Sequence, residues 1–208
     1  MTEHDMIDAT RISALAWAAA LAAAHPAALA TDRSAAAPAA KAAPGAADKV
    51  ARGRYLVTVA GCNDCHTPWK VGPNGPEPDM ERMLSGHPQD MSLPPPPKPV
   101  GPWMVAAAVT NTAWSGPWGI SFTANLTPDP ETGLGKWTQR NFVETIRTGR
   151  HMGRGRPILP PMPIPMYKHF TDSDLDAIFS YLQSIPAVKN KVPEPIPPSA
   201  GAAAPGSN

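Results

Sequence analysis

This sequence contains few cysteines and few aromatic residues, and its net charge is close to zero. Only two cysteines occur among 208 residues, so there is no disulfide framework from which a fold or a compartment could be inferred. Six Trp, three Tyr and four Phe provide little apolar filling for a chain of this length. The formal net charge of +1 excludes the strongly basic balance of a nucleic-acid-binding protein. Proline and glycine are abundant instead, with 28 and 16 residues, which indicates that part of the chain lies outside any packed domain.

Both cysteines fall within one motif, Cys62-Asn63-Asp64-Cys65-His66. Two thiols three residues apart, with a histidine directly after the second, form the attachment signature of haem c. The thiols would bond to the two vinyl groups of the porphyrin, and the imidazole would reach the iron from one face. A thioredoxin-like redox pair and half of a zinc site are the alternatives, since both use the same cysteine spacing. We predict one covalent haem c, which would also supply the apolar centre that the scarce aromatic residues do not.

Residues 1–30 resemble an export signal. An apolar run over 12–24 follows Arg11, and Ala28-Leu29-Ala30 has the small residues that signal peptidase accepts. The first residues are unusually acidic, and a translation start at Met6 would relieve most of this. A membrane anchor is the alternative, but the run is shorter than the ~20 apolar residues that span a bilayer. We predict cleavage after Ala30 and a periplasmic protein with no stable membrane anchor, since bacteria attach haem c outside the cytoplasm.

Composition divides the remaining chain into three parts. Residues 31–47 are almost entirely Ala, Pro, Ser and Lys, and residues 189–208 are rich in Pro, Ala and Gly. Neither stretch can bury apolar surface, so both are predicted to be disordered, the first as a linker and the second as a tail. The folded domain is expected over 48–188.

The first helix of this domain is predicted over 49–59. Asp48 can cap it, and Gly61 can end it. Gly53 in its middle costs about 1 kcal/mol relative to alanine. We therefore expect another helix to cross closely at this glycine.

Two further helices are predicted towards the end of the domain. One runs over 139–148, between Thr138 as its cap and Gly149 as its stop. The other runs over 172–184 after Thr171 and carries apolar side chains at i, i+3, i+4 and i+7. With these helices as its regular structure, the predicted fold class is all-α, a helical domain around one haem.

The stretch 67–122 contains many prolines and glycines and shows no amphipathic period. It is too long for an ordinary connection, so we expect an ordered loop that wraps the domain, with a few short turns or strands. Residues 103–109 are the best candidate for a strand. Three tryptophans in the loop are expected to pack within the protein or to donate an indole N–H to a haem propionate: Trp103, Trp114 and Trp118.

The ligand on the second face of the iron decides the chemistry. An open site permits ligand binding or catalysis, whereas a second strong ligand leaves only electron exchange, and a thioether ligand raises the reduction potential. Residues 158–167 offer two methionine sulfurs on a segment that four prolines stiffen. We predict Met162, which lies between two prolines, with Met166 second and Met152 third. Three histidines are further candidates: His87, His151 and His169.

The order of helix, Cys-x-x-Cys-His, long loop, proline-flanked methionine and amphipathic helix resembles class I c-type cytochromes. The similarity is greatest to the haem domains of the cytochrome subunits that serve membrane-bound alcohol and aldehyde dehydrogenases. It covers about 50–187 and is carried by four stretches: 61–67, 124–137, 161–167 and 174–182.

The resemblance implies a role for each residue of the site. Cys62 and Cys65 form the thioether bonds, His66 is the proximal ligand and Met162 is the distal one. It also implies that the first and last helices cross near Gly53, with Tyr181 or a neighbour at the contact.

The function expected from the sequence is one-electron transfer by a periplasmic single-haem cytochrome, which is a carrier and not an enzyme. The dehydrogenase subunits carry three haem motifs and a C-terminal anchor, whereas this chain has one motif and no predicted anchor. Its partners would be redox proteins such as a dehydrogenase, an oxidase or another cytochrome. Two alternatives stay open: a haem c subunit of a multi-component dehydrogenase, and a haem protein that binds or senses a small ligand after a displaceable methionine leaves the iron.

Overall fold

The computed structural model describes residues 45–98 and 101–198, and the predicted signal peptide and most of the predicted linker lie outside these ranges. The described chain forms five α-helices, α1 to α5: Ala46–Val59, Cys62–His66, Gln139–Thr148, Ile164–Tyr167 and Asp172–Leu182. It also forms five strands, β1 to β5: Trp69–Gly72, Gly75–Pro78, Ala106–Ala107, Ala113–Gly116 and Gly119–Phe122. None of the helices in these ranges is long and apolar enough to cross a membrane.

The prediction of an all-α fold is wrong, because the strands build two antiparallel sheets within the stretch 67–122. Strand β1 pairs with β2, and β4 lies between β3 and β5. Both hairpins use the same local pattern, Gly-Pro-x-Gly, with a two-residue turn. Proline suits the second position of such a turn and glycine the fourth, where φ is +114° at Gly75 and +95° at Gly119. This repeated pattern is the sequence signal that the prediction missed.

The long loop is ordered and contains short strands, as expected, but its details differ. The strand predicted over 103–109 is confined to Ala106–Ala107. Trp103 is 76 % exposed, whereas Trp114 is buried in β4. Trp118 donates its indole N–H to the Ser121 hydroxyl over 3.2 Å, so this N–H already has a partner within the protein.

Helix α1 begins three residues earlier than predicted. Asp48 is its third residue and not its cap, and its carboxylate accepts a hydrogen bond from the Gly45 amide over 3.2 Å. A carboxylate in the first turn also interacts favourably with the positive end of the helix dipole. Gly61, with φ of +69°, follows the end of the helix as predicted.

The predicted caps of α3 and α5 are confirmed. The Thr138 hydroxyl accepts a hydrogen bond from the Asn141 amide over 3.1 Å, and Gly149 ends α3 with φ of +66°. The Thr171 hydroxyl accepts one from the Asp174 amide over 3.1 Å. Helix α5 ends at Leu182, two residues before the predicted end.

Helices α1 and α5 cross with their backbones in direct contact at Gly53, as predicted. A β-carbon on Gly53 would lie 1.9 Å from the Ala177 carbonyl oxygen and 2.8 Å from Cβ of Tyr181. The core forms where α1, α3 and α5 meet, and its buried members include Leu56, Val57, Phe142, Ile146, Leu175, Ile178 and Leu182. This packing holds the end of α1, and hence the haem motif, in a fixed position.

The chain continues to pack against the domain beyond the predicted end at residue 188. Asn190 is buried, and its side chain donates to the carbonyl oxygens of Ser85 and His87 over 2.7 and 2.9 Å. Ile196 exchanges two backbone hydrogen bonds with Ile120 of β5 over 2.8 and 2.9 Å. Residues 189–198 therefore differ from the disordered tail that composition predicts, because they satisfy backbone groups of loops far away in the sequence.

Candidate haem-binding site

Helix α2 places the two thiols of the motif on a single short helix. Gly61 turns the chain sharply between α1 and α2, in a left-handed conformation that favours glycine. Cys62 packs against the hydrophobic core, Cys65 is partly buried, and the two cysteines are not bonded to each other. Both sulfurs are therefore free to bond to another group.

The electrostatic surroundings of the thiols differ from those of a redox-active pair. Burial raises the pKa of Cys62 to about 11, and burial together with the Asp64 carboxylate raises the pKa of Cys65. A thioredoxin-like site needs the opposite shift, because its attacking cysteine must be a thiolate near neutral pH. Within the described ranges, no cluster of three or more His, Cys, Asp or Glu side chains could hold a metal ion, as a zinc site would require. The raised pKa values of the two thiols thus argue against a thioredoxin-like pair.

His66 is fixed in the state that a metal ligand requires. It is only 7 % exposed, and its Nδ1 lies 2.8 Å from the Ala124 carbonyl oxygen. A carbonyl oxygen only accepts, so Nδ1 carries the proton and Nε2 keeps its lone pair. Burial lowers the pKa of His66 and outweighs the opposite effect of this hydrogen bond, so the ring is neutral at physiological pH.

Residues 84–87 support the motif from the long loop. The Leu84 amide donates to the Thr67 hydroxyl over 2.9 Å, and the Gly86 amide donates to the His66 carbonyl over 2.8 Å. Gly86 has φ of +79°, and a β-carbon there would lie 2.4 Å from the Thr123 carbonyl oxygen. Only glycine allows this approach, which ties the motif to the strand that leads to Ala124.

The three candidate methionines lie in different surroundings. Met162 is partly buried and packs against the hydrophobic core. Met166 is 72 % exposed, and Met152 is exposed on a short 3₁₀ turn. Met162, the first choice from the sequence, is therefore the most enclosed of the three.

The segment that carries Met162 is anchored on both sides. Before it, the Ile158 amide donates to the Gly149 carbonyl over 2.8 Å, and the Ser121 hydroxyl donates to the Pro160 carbonyl over 2.6 Å. After it, the Tyr167 hydroxyl donates to the Ala60 carbonyl, two residues before Cys62. Burial, with a smaller effect from the thiols, raises the pKa of Tyr167 to about 12, so the phenol keeps this proton.

The three histidine candidates for the second iron ligand differ in burial. His151 and His169 are exposed, and the ring of His151 meets Trp137 edge-on at 5.1 Å. His87 is fully buried beside Phe122, with Nδ1 2.9 Å from the Thr112 hydroxyl and Nε2 without a partner among the described residues. The sequence predicted His87 to lie in a loop, and only the structure shows that it is enclosed.

The basic residues before the methionine segment are largely engaged within the protein. Arg147 pairs with Asp172 and donates to the Lys168 carbonyl, and Arg156 pairs with Glu194 over 3.1 Å. These contacts join α3 to the start of α5, and they join Arg156 to the C-terminal segment.

The donor set fits a haem c group. Two unbonded thiols lie on one helix, a neutral imidazole offers Nε2, and a thioether lies on a partly buried, well-anchored segment. These are the groups by which a protein binds haem c covalently and ligates its iron. Sequence reasoning missed three residues that support this set, Ser121, Ala124 and Asn190, because nothing local marks a contact made across more than 35 residues.

Known proteins share parts of this chain at modest identity. A nicotinate dehydrogenase subunit from Pseudomonas putida is 35 % identical over 77 residues, which are 37 % of this chain and 6 % of that protein. The cytochrome c subunit of the quinone alcohol dehydrogenase from Gluconobacter oxydans is 32 % identical over 81 residues, or 38 % and 17 % of the two chains. The fructose dehydrogenase cytochrome subunit from Gluconobacter japonicus is 25 % identical over 152 residues, or 70 % and 24 %.

These matches span at most about a quarter of the length of the relatives. No protein-family model matches the chain. The expected resemblance is nevertheless confirmed: this chain is similar to the cytochrome c subunits of alcohol and fructose dehydrogenases.

Proposed function

We propose that one haem c would be held covalently by Cys62 and Cys65, with His66 and Met162 as the iron ligands, and that the chain transfers single electrons for a dehydrogenase. When bound, the haem iron would exchange one electron between its ferrous and ferric forms. The chain itself is proposed to be a non-catalytic carrier that does not act on the organic substrate.

The single observation that carries this proposal is the hydrogen bond from His66 to Ala124. It holds the imidazole in one tautomer and one orientation, with Nε2 available to a metal, in a buried position directly after the two thiols. His87 is also buried with its Nε2 unpartnered among the described residues, but only His66 directly follows the two thiols.

With Met162 as the second iron ligand, the site would be limited to electron transfer. A buried thioether closes the iron to small molecules and favours its reduced form. Support comes from the partial burial of Met162 against the core and from the anchors on both sides of its segment. The exposed side chain of Met166 fits this role less well.

A dehydrogenase is the proposed partner, which favours the subunit alternative over an independent carrier. Support comes from the relatives, which are named as subunits of alcohol and fructose dehydrogenases. The long loop offers a surface for such a partner, because it exposes four large apolar side chains that the domain does not cover: Trp103, Met104, Val105 and Val109.

Export and cleavage after Ala30 remain part of the proposal. Support comes from the apolar run and the small residues at the predicted cleavage site. The mass and N-terminal sequence of the protein recovered from the periplasm test it. A chain that starts at Thr31 is expected, and an intact N-terminus in the membrane fraction would contradict it.

The decisive experiment is the optical spectrum of the exported protein. We expect one covalent haem per chain, lost in the Cys62→Ala/Cys65→Ala variant, and a sulfur-to-iron charge-transfer band in the ferric protein. The band should disappear in Met162→Ala and persist in Met166→Ala, which is the matched control. A band that survives in Met162→Ala but not in Met166→Ala would refute the ligand assignment.

Carbon monoxide binding by the same protein distinguishes an electron carrier from a ligand sensor. Rapid binding of carbon monoxide by the ferrous wild-type protein would indicate a displaceable methionine and favour the ligand-binding alternative. Co-purification with a dehydrogenase, and reduction of the haem by its substrate, would support the proposed partner.

A further inference from the structure

Ser121 of β5 connects the second sheet to the methionine segment. It is 7 % exposed, and its hydroxyl lies 2.6 Å from the Pro160 carbonyl oxygen, two residues before Met162. The Trp114 carbonyl is the other acceptor in reach, but it lies 3.4 Å away. A hydroxyl has one proton to donate, so the shorter contact to Pro160 takes it.

A tryptophan holds this hydroxyl in its orientation. The indole N–H of Trp118 donates to the Ser121 oxygen over 3.2 Å, which occupies a lone pair and directs the proton towards Pro160. The Trp118 ring cannot move inward, because it packs over Gly116, where a β-carbon would lie 2.5 Å from the ring. The hydroxyl is therefore oriented by groups outside the methionine segment.

The strand that carries Ser121 is held at both edges. On one side Ser121 pairs with Trp114 in the β4–β5 ladder. On the other side Ile120 exchanges two backbone hydrogen bonds with Ile196. A strand paired on both sides is a rigid support, and its position does not depend on the methionine segment.

We propose that Ser121 is a positioning residue for the distal ligand and fixes the backbone from which Met162 reaches the haem iron. This inference rests on the proposed function. It gives the second sheet a role beyond shielding, since the sheet and the C-terminal segment together form the support on which the distal ligand is held.

Loss of the hydroxyl should make it easier for the methionine to leave the iron. One hydrogen bond of this kind corresponds to about a fivefold change in the equilibrium between the bound and the detached methionine, or about 1 kcal/mol. In Ser121→Ala we therefore expect about fivefold faster or tighter binding of carbon monoxide to the ferrous protein. The charge-transfer band of the ferric protein should weaken without disappearing.

The experiment compares four variants of the haem-loaded, full-length protein. Ser121→Thr keeps a hydroxyl and should restore the wild-type band and carbon monoxide binding. Ser180→Ala is the matched control, because the Ser180 hydroxyl also donates to a backbone carbonyl, that of Asp176, over 2.8 Å, but on α5. Met162→Ala reports the complete loss of the ligand. Thermal unfolding of each variant shows whether the domain is intact.

The outcomes separate this inference from the proposed function. A weakened band and faster carbon monoxide binding in Ser121→Ala, with Ser121→Thr and Ser180→Ala like the wild type, would support it. Unchanged spectra in Ser121→Ala, or equal effects in Ser121→Ala and Ser180→Ala, would overturn it while Met162→Ala still confirms the ligand. A band unaffected by Met162→Ala would overturn the ligand assignment itself, and with it this inference.

Discussion

The backbone of Gly53 lies against the carbonyl of Ala177, so that a β-carbon on Gly53 would be 1.9 Å from the carbonyl oxygen. At this position helices α1 and α5 therefore meet without a side chain of α1 between them. Because α1 leads directly to the haem motif, this contact determines how the motif is presented to the rest of the domain.

Gly53→Ala should destabilise the protein, by about 1–3 kcal/mol, because the methyl group forces the two helices apart. Helix propensity alone predicts the opposite, a gain of about 1 kcal/mol. Denaturant unfolding of the haem-loaded protein measures the difference. Arg54→Ala, at the neighbouring exposed position, is the control and should change stability little. A more stable Gly53→Ala variant would contradict the crossing.

Asp174→Asn should change how stability depends on pH. Arg52 contacts the Asp174 carboxylate over 2.9 and 3.1 Å. Burial alone would raise the pKa of Asp174, but hydrogen bonds from Arg52 and Thr171 outweigh it and hold the pKa below its usual value. A carboxyl group with a lowered pKa stabilises the folded state above its unfolded pKa of about 4, and this contribution is lost as the pH falls further.

The wild-type protein should therefore exceed Asp174→Asn in stability at neutral pH, by up to about 1 kcal/mol for such a partly exposed pair. The difference should shrink below about pH 4. Thermal unfolding between pH 3 and pH 7 checks this, with Asp90→Asn at an exposed position as a control for the change in charge. A difference that stays constant over this range would show that Asp174 does not act through its charge.

Tyr167→Phe should loosen the end of the methionine segment. The variant loses the hydrogen bond to the Ala60 carbonyl, which is worth about 1 kcal/mol at neutral pH. Because burial raises the pKa of Tyr167 to about 12, the phenol stabilises the folded state fully below its unfolded pKa of about 10, and this contribution is lost as the pH rises from there towards 12. Unfolding at pH 7 and pH 11 measures both effects. Equal losses of stability from pH 7 to pH 11 in the two proteins would contradict the prediction.

Asn190→Ala should destabilise the domain by about 2 kcal/mol or more. Its side chain donates to the carbonyls of Ser85 and His87 and accepts from the Gln89 amide, and these backbone groups would lose their partner. Denaturant unfolding measures the loss, and Lys191→Ala, at an exposed neighbour, is the control.

Truncation tests the same segment as a whole. A chain that ends at residue 188 should unfold at lower denaturant concentration than one that ends at residue 198. Equal unfolding curves would show that residues 189–198 contribute nothing, as a disordered tail would.

For helix α3, local sequence patterns suffice to predict both ends. Helix α3 begins and ends at the predicted residues, because a threonine cap and a glycine stop act within one turn of the chain. The strands were harder to predict, since they are short, rich in glycine and proline, and stable only through pairing. The repeated Gly-Pro-x-Gly pattern marks their turns, and with it both hairpins could have been found.

The sequence by itself determined the proposed donor set, because two thiols, a histidine and a proline-flanked methionine are recognised from residue type and spacing alone. It also determined that helices cross at a glycine. Only the tertiary structure decided which side chains hold these donors. The Ala124 carbonyl that orients His66 lies 58 residues away, the Ser121 hydroxyl reaches Pro160 across 39 residues, and Asn190 reaches Ser85 across 105. Such contacts depend on how the whole chain folds, and no local pattern encodes them.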